Sequence, residues 1–128
     1  MNRDAIATTG APDAIGPYSQ AIAMDCLVFC SGQLGLDPAT GNLADGVEAQ
    51  AERSMKNLTA VLGEAGLSME DVVKTTIFLA DMGDFAAVNA VYGRFMPDPP
   101  PARSTVAVAG LPKGGLVEIE AIALRGSR

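Results

Sequence analysis

A few residues in this sequence could do chemistry together, and Arg103 is the first of them. It follows Pro97-Asp98-Pro99-Pro100-Pro101, a run that breaks a helix and forces extended backbone. Its guanidinium is permanently charged, and the planar fork matches a carboxylate or a phosphate. A surface or interface ion pair would account equally well for one arginine. Glu118 and Glu120 share one face of a strand, and a carboxylate beside apolar surface can have a raised pKa and deprotonate water. Interface salt bridges or solvent exposure explain the same spacing, and local pattern favours them. Tyr18 lies in a Gly-Pro turn, where its ring can close over a pocket or pack on its own loop. Asn89 falls between Phe85 and Tyr92 on the expected buried side of a helix, so its amide needs partners, backbone groups ahead of a ligand. Gly32, in Ser31-Gly32-Gln33 at a strand end, allows a ligand close to the backbone.

What is missing narrows the chemistry. The sequence contains no histidine, which removes Ser-His-Asp and Cys-His nucleophiles, His-ligated zinc and the commonest general base. Acid–base work is left to carboxylates, Tyr, Lys, Cys or positioned water. Cys26 and Cys30 sit on one strand-like segment, about 13 Å apart at the usual rise per residue, so they are expected to be free thiols. With so few thiols, a structural zinc site is not expected, and no metal or cofactor is called for. Lys113-Gly114-Gly115 lacks the spacing of a phosphate loop and reads as a turn.

Regular elements must hold these residues in place. Ala5 to Thr8 is a short strand candidate, and Gly10-Ala11-Pro12-Asp13 after it is a loop. Gln20 to Met24 and Cys26 to Gln33 read as strands, with Asp25 at a tight connection. Asp45 and Glu48 form a capping-box-like pair before a helix striped by Val47, Ala51, Met55, Leu58, Leu62 and Ala65. Gly66 is its expected left-handed cap. Val72 to Leu79 is strand-like, with Val73, Thr75, Ile77 and Leu79 on one face. Asp84 caps a second helix, buried through Phe85, Val88, Tyr92 and Phe95. Ser104 to Val108 and Leu116 to Leu124 are the last strands, joined by a hairpin turn. The order β-β-β-α-β-α-β-β is an α+β fold, a single domain over 1–128 with one mixed sheet and two helices on one face.

The 128 residues include four Phe, two Tyr and no Trp, so the core is aliphatic. A net charge of −6, with nine scattered Lys and Arg, argues against nucleic acid. No run approaches the roughly 20 apolar residues of a membrane span, and no signal-peptide pattern opens the chain, so a cytoplasmic protein is expected. In the last strand one face is wholly apolar, while the other carries Glu118 and Glu120, then Ile122 and Leu124. Two helices cover one face of so small a sheet, so the second face is expected to bury against another subunit.

Taken together, these stretches resemble the Rid family, also called the YjgF family of reactive-intermediate deaminases. The most specific match is Pro101-Ala102-Arg103-Ser104-Thr105-Val106, followed at the right interval by Val117-Glu118-Ile119. Ile15-Gly16-Pro17-Tyr18-Ser19-Gln20, Ser31-Gly32-Gln33, Val73-Lys74-Thr75-Thr76 and Phe85-Ala86-Ala87-Val88-Asn89 match in order as well. The resemblance implies a chorismate-mutase-like fold, a homotrimer with three intersubunit clefts, and cofactor-free hydrolysis of 2-imino and enamine acids to 2-keto acids. It implies that Arg103 binds the substrate carboxylate, Glu118 positions the attacking water and Tyr18 reaches the cleft across the subunit boundary. It also implies that Gly32, Asn89 and Thr105 line the same cleft. Thr105 stands where many members carry cysteine, and the segment from Asn89 to Arg103 is short for the family. A non-catalytic metabolite-binding trimer is the alternative, with an endoribonuclease behind it.

Overall fold

Val117, Ile119, Ala121 and Ala123 alternate with Glu118, Glu120, Ile122 and Leu124, and that alternation places β6 (Val117–Leu124) inside the sheet. In the computed structural model, which describes residues 2–126, the first set is buried and the second half-buried. β6 runs antiparallel to β3 (Leu27–Leu34) on one side and β4 (Val72–Leu79) on the other. β2 (Ala21–Met24) and β1 (Arg3–Ile6) extend the sheet beyond β3, and β5 (Ala102–Ala107) pairs parallel with β4. The order is β1-β2-β3-β6-β4-β5. Both helices lie on one side, α1 (Val47–Glu64) on β3 and β6, and α2 (Phe85–Gly93) against α1. No described helix is long and apolar enough to cross a membrane.

Several local expectations change in three dimensions. The last two strands are not a hairpin, because β4 lies between them. A parallel β4–β5 pair needs a crossover, which α2 supplies, and turn signals near Gly110 cannot reveal that non-local partner. In β4 a bulge between Val72 and Lys74 inverts the face: Val72 is buried and Val73 is 42% exposed. Alternation then resumes on Thr75, Ile77 and Leu79. The Asp45–Glu48 capping pair does not form; Gly46 is the N-cap, at φ 89°, without a side-chain hydrogen bond. A capping box forms instead between Ser68 and Asp71, around a single 3-10 turn. Asp84 makes no capping bond either, whereas Asp81 accepts from the Gly83 N–H at 2.8 Å. The buried face of α2 is Val88, Val91 and Tyr92, which turns Phe85 outward.

At the other end of α1 the expected cap is present. Gly66 has φ 78°, its N–H donates to the Gly63 carbonyl, and the Leu67 N–H donates to Leu62 at 2.8 Å.

Beside its apolar stripe, α1 carries a buried polar row, Gln50, Ser54 and Asn57. Ser54 Oγ donates to the Gln33 carbonyl at 2.6 Å, and Asn57 Nδ2 donates to the carbonyls of Leu34 and Leu36. Gln50 Oε1 accepts from the Leu116 N–H at 2.9 Å. These bonds tie down the ends of β3 and β6. The helix comes so close that a Cβ on Gly35 would lie 2.4 Å from the Gln50 carbonyl oxygen.

The opposite face of the sheet stays open. Ile22, Phe29 and Ile122 are register neighbours across β2, β3 and β6, and Phe78 and Val106 across β4 and β5. Phe29 and Val106 are each more than 40% exposed, so the apolar surface anticipated from β6 extends over several strands.

Candidate active site

The β4–β5 register decides where Arg103 points. It pairs with Thr75, a fully buried residue on the helix-covered face, so the guanidinium runs beneath α2. There its Nη1 donates to Asn89 Oδ1 at 2.7 Å. Its Cζ lies 5.1 Å from the Tyr92 ring centre and 5.6 Å from that of Phe85. Phe85, Asn89 and Tyr92 are spaced by four and three on α2 and present one row to the cation. Beside it a groove of about 530 Å³ is walled by Met96, Pro97, Pro100 and Pro101, so the proline run forms one side of this patch. Thr105 is on the same face, in register with Ile77, and its buried Oγ1 has no hydrogen-bond partner among the described residues.

Glu118 points the other way. It alternates with the buried Val117 and Ile119 and lines a groove of about 850 Å³ on the open face, together with Tyr18, Gly32 and Glu120. Burial raises its carboxyl pKa above the ordinary range, and the negative charge of Glu120 raises it further. No side-chain hydrogen bond or ion pair reaches Glu118 among the described residues. A Cβ on Gly32 would stand 2.8 Å from its Cδ, so the bulged glycine is the seat on which this side chain rests. Ser31 ties Tyr18's loop to the same bulge, its Oγ donating to the Ser19 carbonyl at 2.6 Å. Gln20, nearly fully buried, secures the loop further by bonding Thr8, Ala11 and Pro12. Tyr18 itself is 53% exposed.

Residues 8–125 match the family described as Endoribonuclease L-PSP. The chain is 57% identical over 127 residues to Protein DfrA of Myxococcus xanthus, covering 97% of each. It is 50% identical over 125 residues to a 2-iminobutanoate/2-iminopropanoate deaminase of Mus musculus, covering 97% of this chain and 93% of that one. Among solved structures, E. coli TdcF with bound serine matches with a TM-score of 0.90 and 45% identity, over 95% of this chain and 98% of the other. The chain belongs to the YjgF/Rid family.

In this Rid protein the candidate residues fall into two groups on opposite faces of the sheet. Arg103, Asn89 and Thr105 form one; Glu118, Gly32 and Tyr18 form the other. Within one copy the sheet separates the two. Asn89 also differs from expectation: it is exposed, and its partner is the Arg103 side chain rather than backbone. The helical stripe assigns Tyr92 and Phe85 to the core; Tyr92 is buried there and Phe85 is exposed, and both rings cradle the arginine. Their spacing from Asn89 on α2 is visible in sequence; the parallel register that brings β5 beneath them is not.

Proposed function

We propose that this Rid protein hydrolyses 2-imino acids and their enamine tautomers, such as 2-iminobutanoate and 2-iminopropanoate, to 2-keto acids and ammonia. The state of Arg103 carries the reading. Asn89 and two rings hold the guanidinium in place, while its other N–H groups have no hydrogen-bond partner among the described residues, which suits a planar carboxylate. The 50% identity to the mouse deaminase supports the same activity.

The assembly we propose is a homotrimer of chorismate-mutase-like subunits, in which the open apolar face is buried between copies. Each of three clefts joins Arg103, Asn89 and Thr105 of one copy to Tyr18, Gly32 and Glu118 of the next. Water adds to the imine carbon as the Glu118 carboxylate takes its proton and passes it to the imine nitrogen; the carbinolamine hydroxyl proton then moves to the amine, again through Glu118, and the keto acid forms as ammonia leaves. The raised pKa of Glu118 suits that role, since a base works best when its pKa approaches the working pH. Tyr18 closes the cleft. Water is the only co-reactant, so neither metal nor cofactor is called on.

The free thiols Cys26 and Cys30 accord with a reducing cytoplasm. The net charge of −6 weighs against RNA as a substrate, despite the endoribonuclease in the family's description. Serine bound to TdcF favours a second reading, a metabolite-binding trimer without turnover.

Competition between the enzyme and semicarbazide for freshly generated 2-iminobutanoate separates the two. A deaminase lowers the initial rate of semicarbazone formation as its concentration rises, because the keto acid condenses with semicarbazide more slowly than the imine. An unchanged initial rate across small imino acids, with a retained affinity for 2-oxobutanoate, replaces deaminase with binding protein.

A further inference from the structure

We propose that Tyr92 is a positioning residue for Arg103, and that Thr75 sets Tyr92, so that the carboxylate receptor is aligned before substrate arrives. This rests on the reading of Arg103 as the carboxylate site.

The Thr75 side chain is wholly buried and Tyr92 is 4% exposed. Their hydroxyls share a hydrogen bond of 2.6 Å, which fixes the ring beneath the cation. Thr75 is also the register partner of Arg103 across β4 and β5. One residue of β4 therefore lies beside the arginine in the sheet and also holds its aromatic support.

The ring face attracts the guanidinium through its quadrupole, and Asn89 holds Nη1. Phe85 adds a second ring farther back along α2. An arginine left free would lose many rotamers on binding a carboxylate; here much of that ordering is already present in the folded chain. The Tyr92 hydroxyl points to the buried Thr75, while its ring faces the cation. That separates its role from that of Tyr18, whose ring is exposed.

The test uses the full-length protein with Tyr92→Phe, Thr75→Val, their combination and Thr75→Ser. Two readouts are taken: KM and kcat on 2-iminobutanoate, and the heteronuclear NOE of the Arg103 Nε–H group in the unliganded protein. Each deletion of the hydroxyl pair should raise KM by about fivefold, the factor carried by one hydrogen bond, with kcat nearly unchanged. The double variant should match the singles, because all three remove the same bond. Thr75→Ser should keep the wild-type KM, and the Nε–H NOE should fall in every variant except that one. An unchanged KM and NOE in Tyr92→Phe overturn the proposal while leaving the deaminase reading intact. Additive effects in the double variant overturn it too. If the wild type fails to hydrolyse imino acids, the deaminase reading falls, and the NOE series still decides whether Tyr92 orders Arg103. Should Thr75→Val not fold, Tyr92→Phe and Thr75→Ser carry the same comparison.

Discussion

The two halves of the site are built on opposite plans. Around Arg103 the chain supplies its own partners: an amide oxygen at 2.7 Å, two aromatic rings and a buried hydroxyl behind one of them. A hydrogen bond to a charged group contributes roughly 1.5–3 kcal/mol and each ring of the order of 0.5–1, so this half is settled within one copy. Around Glu118 the chain supplies burial and a second negative charge, with no hydrogen bond to offset either among the described residues. Recognition of a carboxylate common to substrate and product can be rigid and complete in advance. On the proposed reading, Glu118 is a base that takes a proton from water, and it is held under-partnered, where its proton affinity is raised. On the same reading a single copy is unfinished, since the sheet stands between its two halves.

The sharpest way to break this contrast is to remove the settled half. Arg103→Ala should lower kcat/KM at least about 100-fold, as expected when a charged grip on a carboxylate is lost, and light scattering should report an unaltered oligomer. Near-normal turnover would remove Arg103 from the chemistry. Glu118→Gln should lower kcat about 100-fold with little change in KM, the scale of a lost general base.

That same variant should be more heat-stable than wild type at neutral pH. The folded pKa of Glu118 lies above its unfolded value, so the folded state binds this proton more tightly, and stability falls as pH rises through that interval. An amide in place of the carboxyl cannot ionise, so scanning calorimetry should find the difference near pH 7 and see it vanish in acid. A variant no more stable than wild type would mean that the carboxylate is not strained.

Smaller effects sharpen the picture of the open half. Gly32→Ala should reduce kcat about tenfold while leaving carboxylate binding intact, because the new Cβ would push Glu118 off its seat. Glu120→Gln removes the like charge that helps raise the Glu118 pKa. The acid limb of the kcat profile should then move to lower pH, with the maximal rate nearly retained.

Much of this is readable in the residues, for identifiable reasons. Apolar alternation in Val117–Leu124 marks both the core strand and the exposed second face, because strand periodicity survives the fold. The α1 stripe and the Gly66 cap depend on neighbours within a turn or two and are equally legible. What stays hidden is non-local. The bulge at Val72–Lys74 inverts a face without a sequence mark, and the insertion of β4 between β5 and β6 replaces an expected hairpin with a parallel crossover. For the candidate site, the family motifs point to Arg103 and Glu118. Only the parallel register of Thr75 with Arg103 separates them onto two faces and makes the core residue Tyr92 a cradle for the arginine as well.

The most direct test of the two-copy site is complementation. Arg103→Ala and Glu118→Gln chains, each strongly impaired alone, are co-expressed in equal amounts and the whole oligomer pool is purified unsorted. If one copy's arginine works with the next copy's glutamate, random mixing in a closed ring regenerates about one intact site in four, and activity returns to roughly a quarter of wild type. If both residues serve from a single copy, every site in the mixture stays broken; a pool no more active than either variant alone would contradict the account.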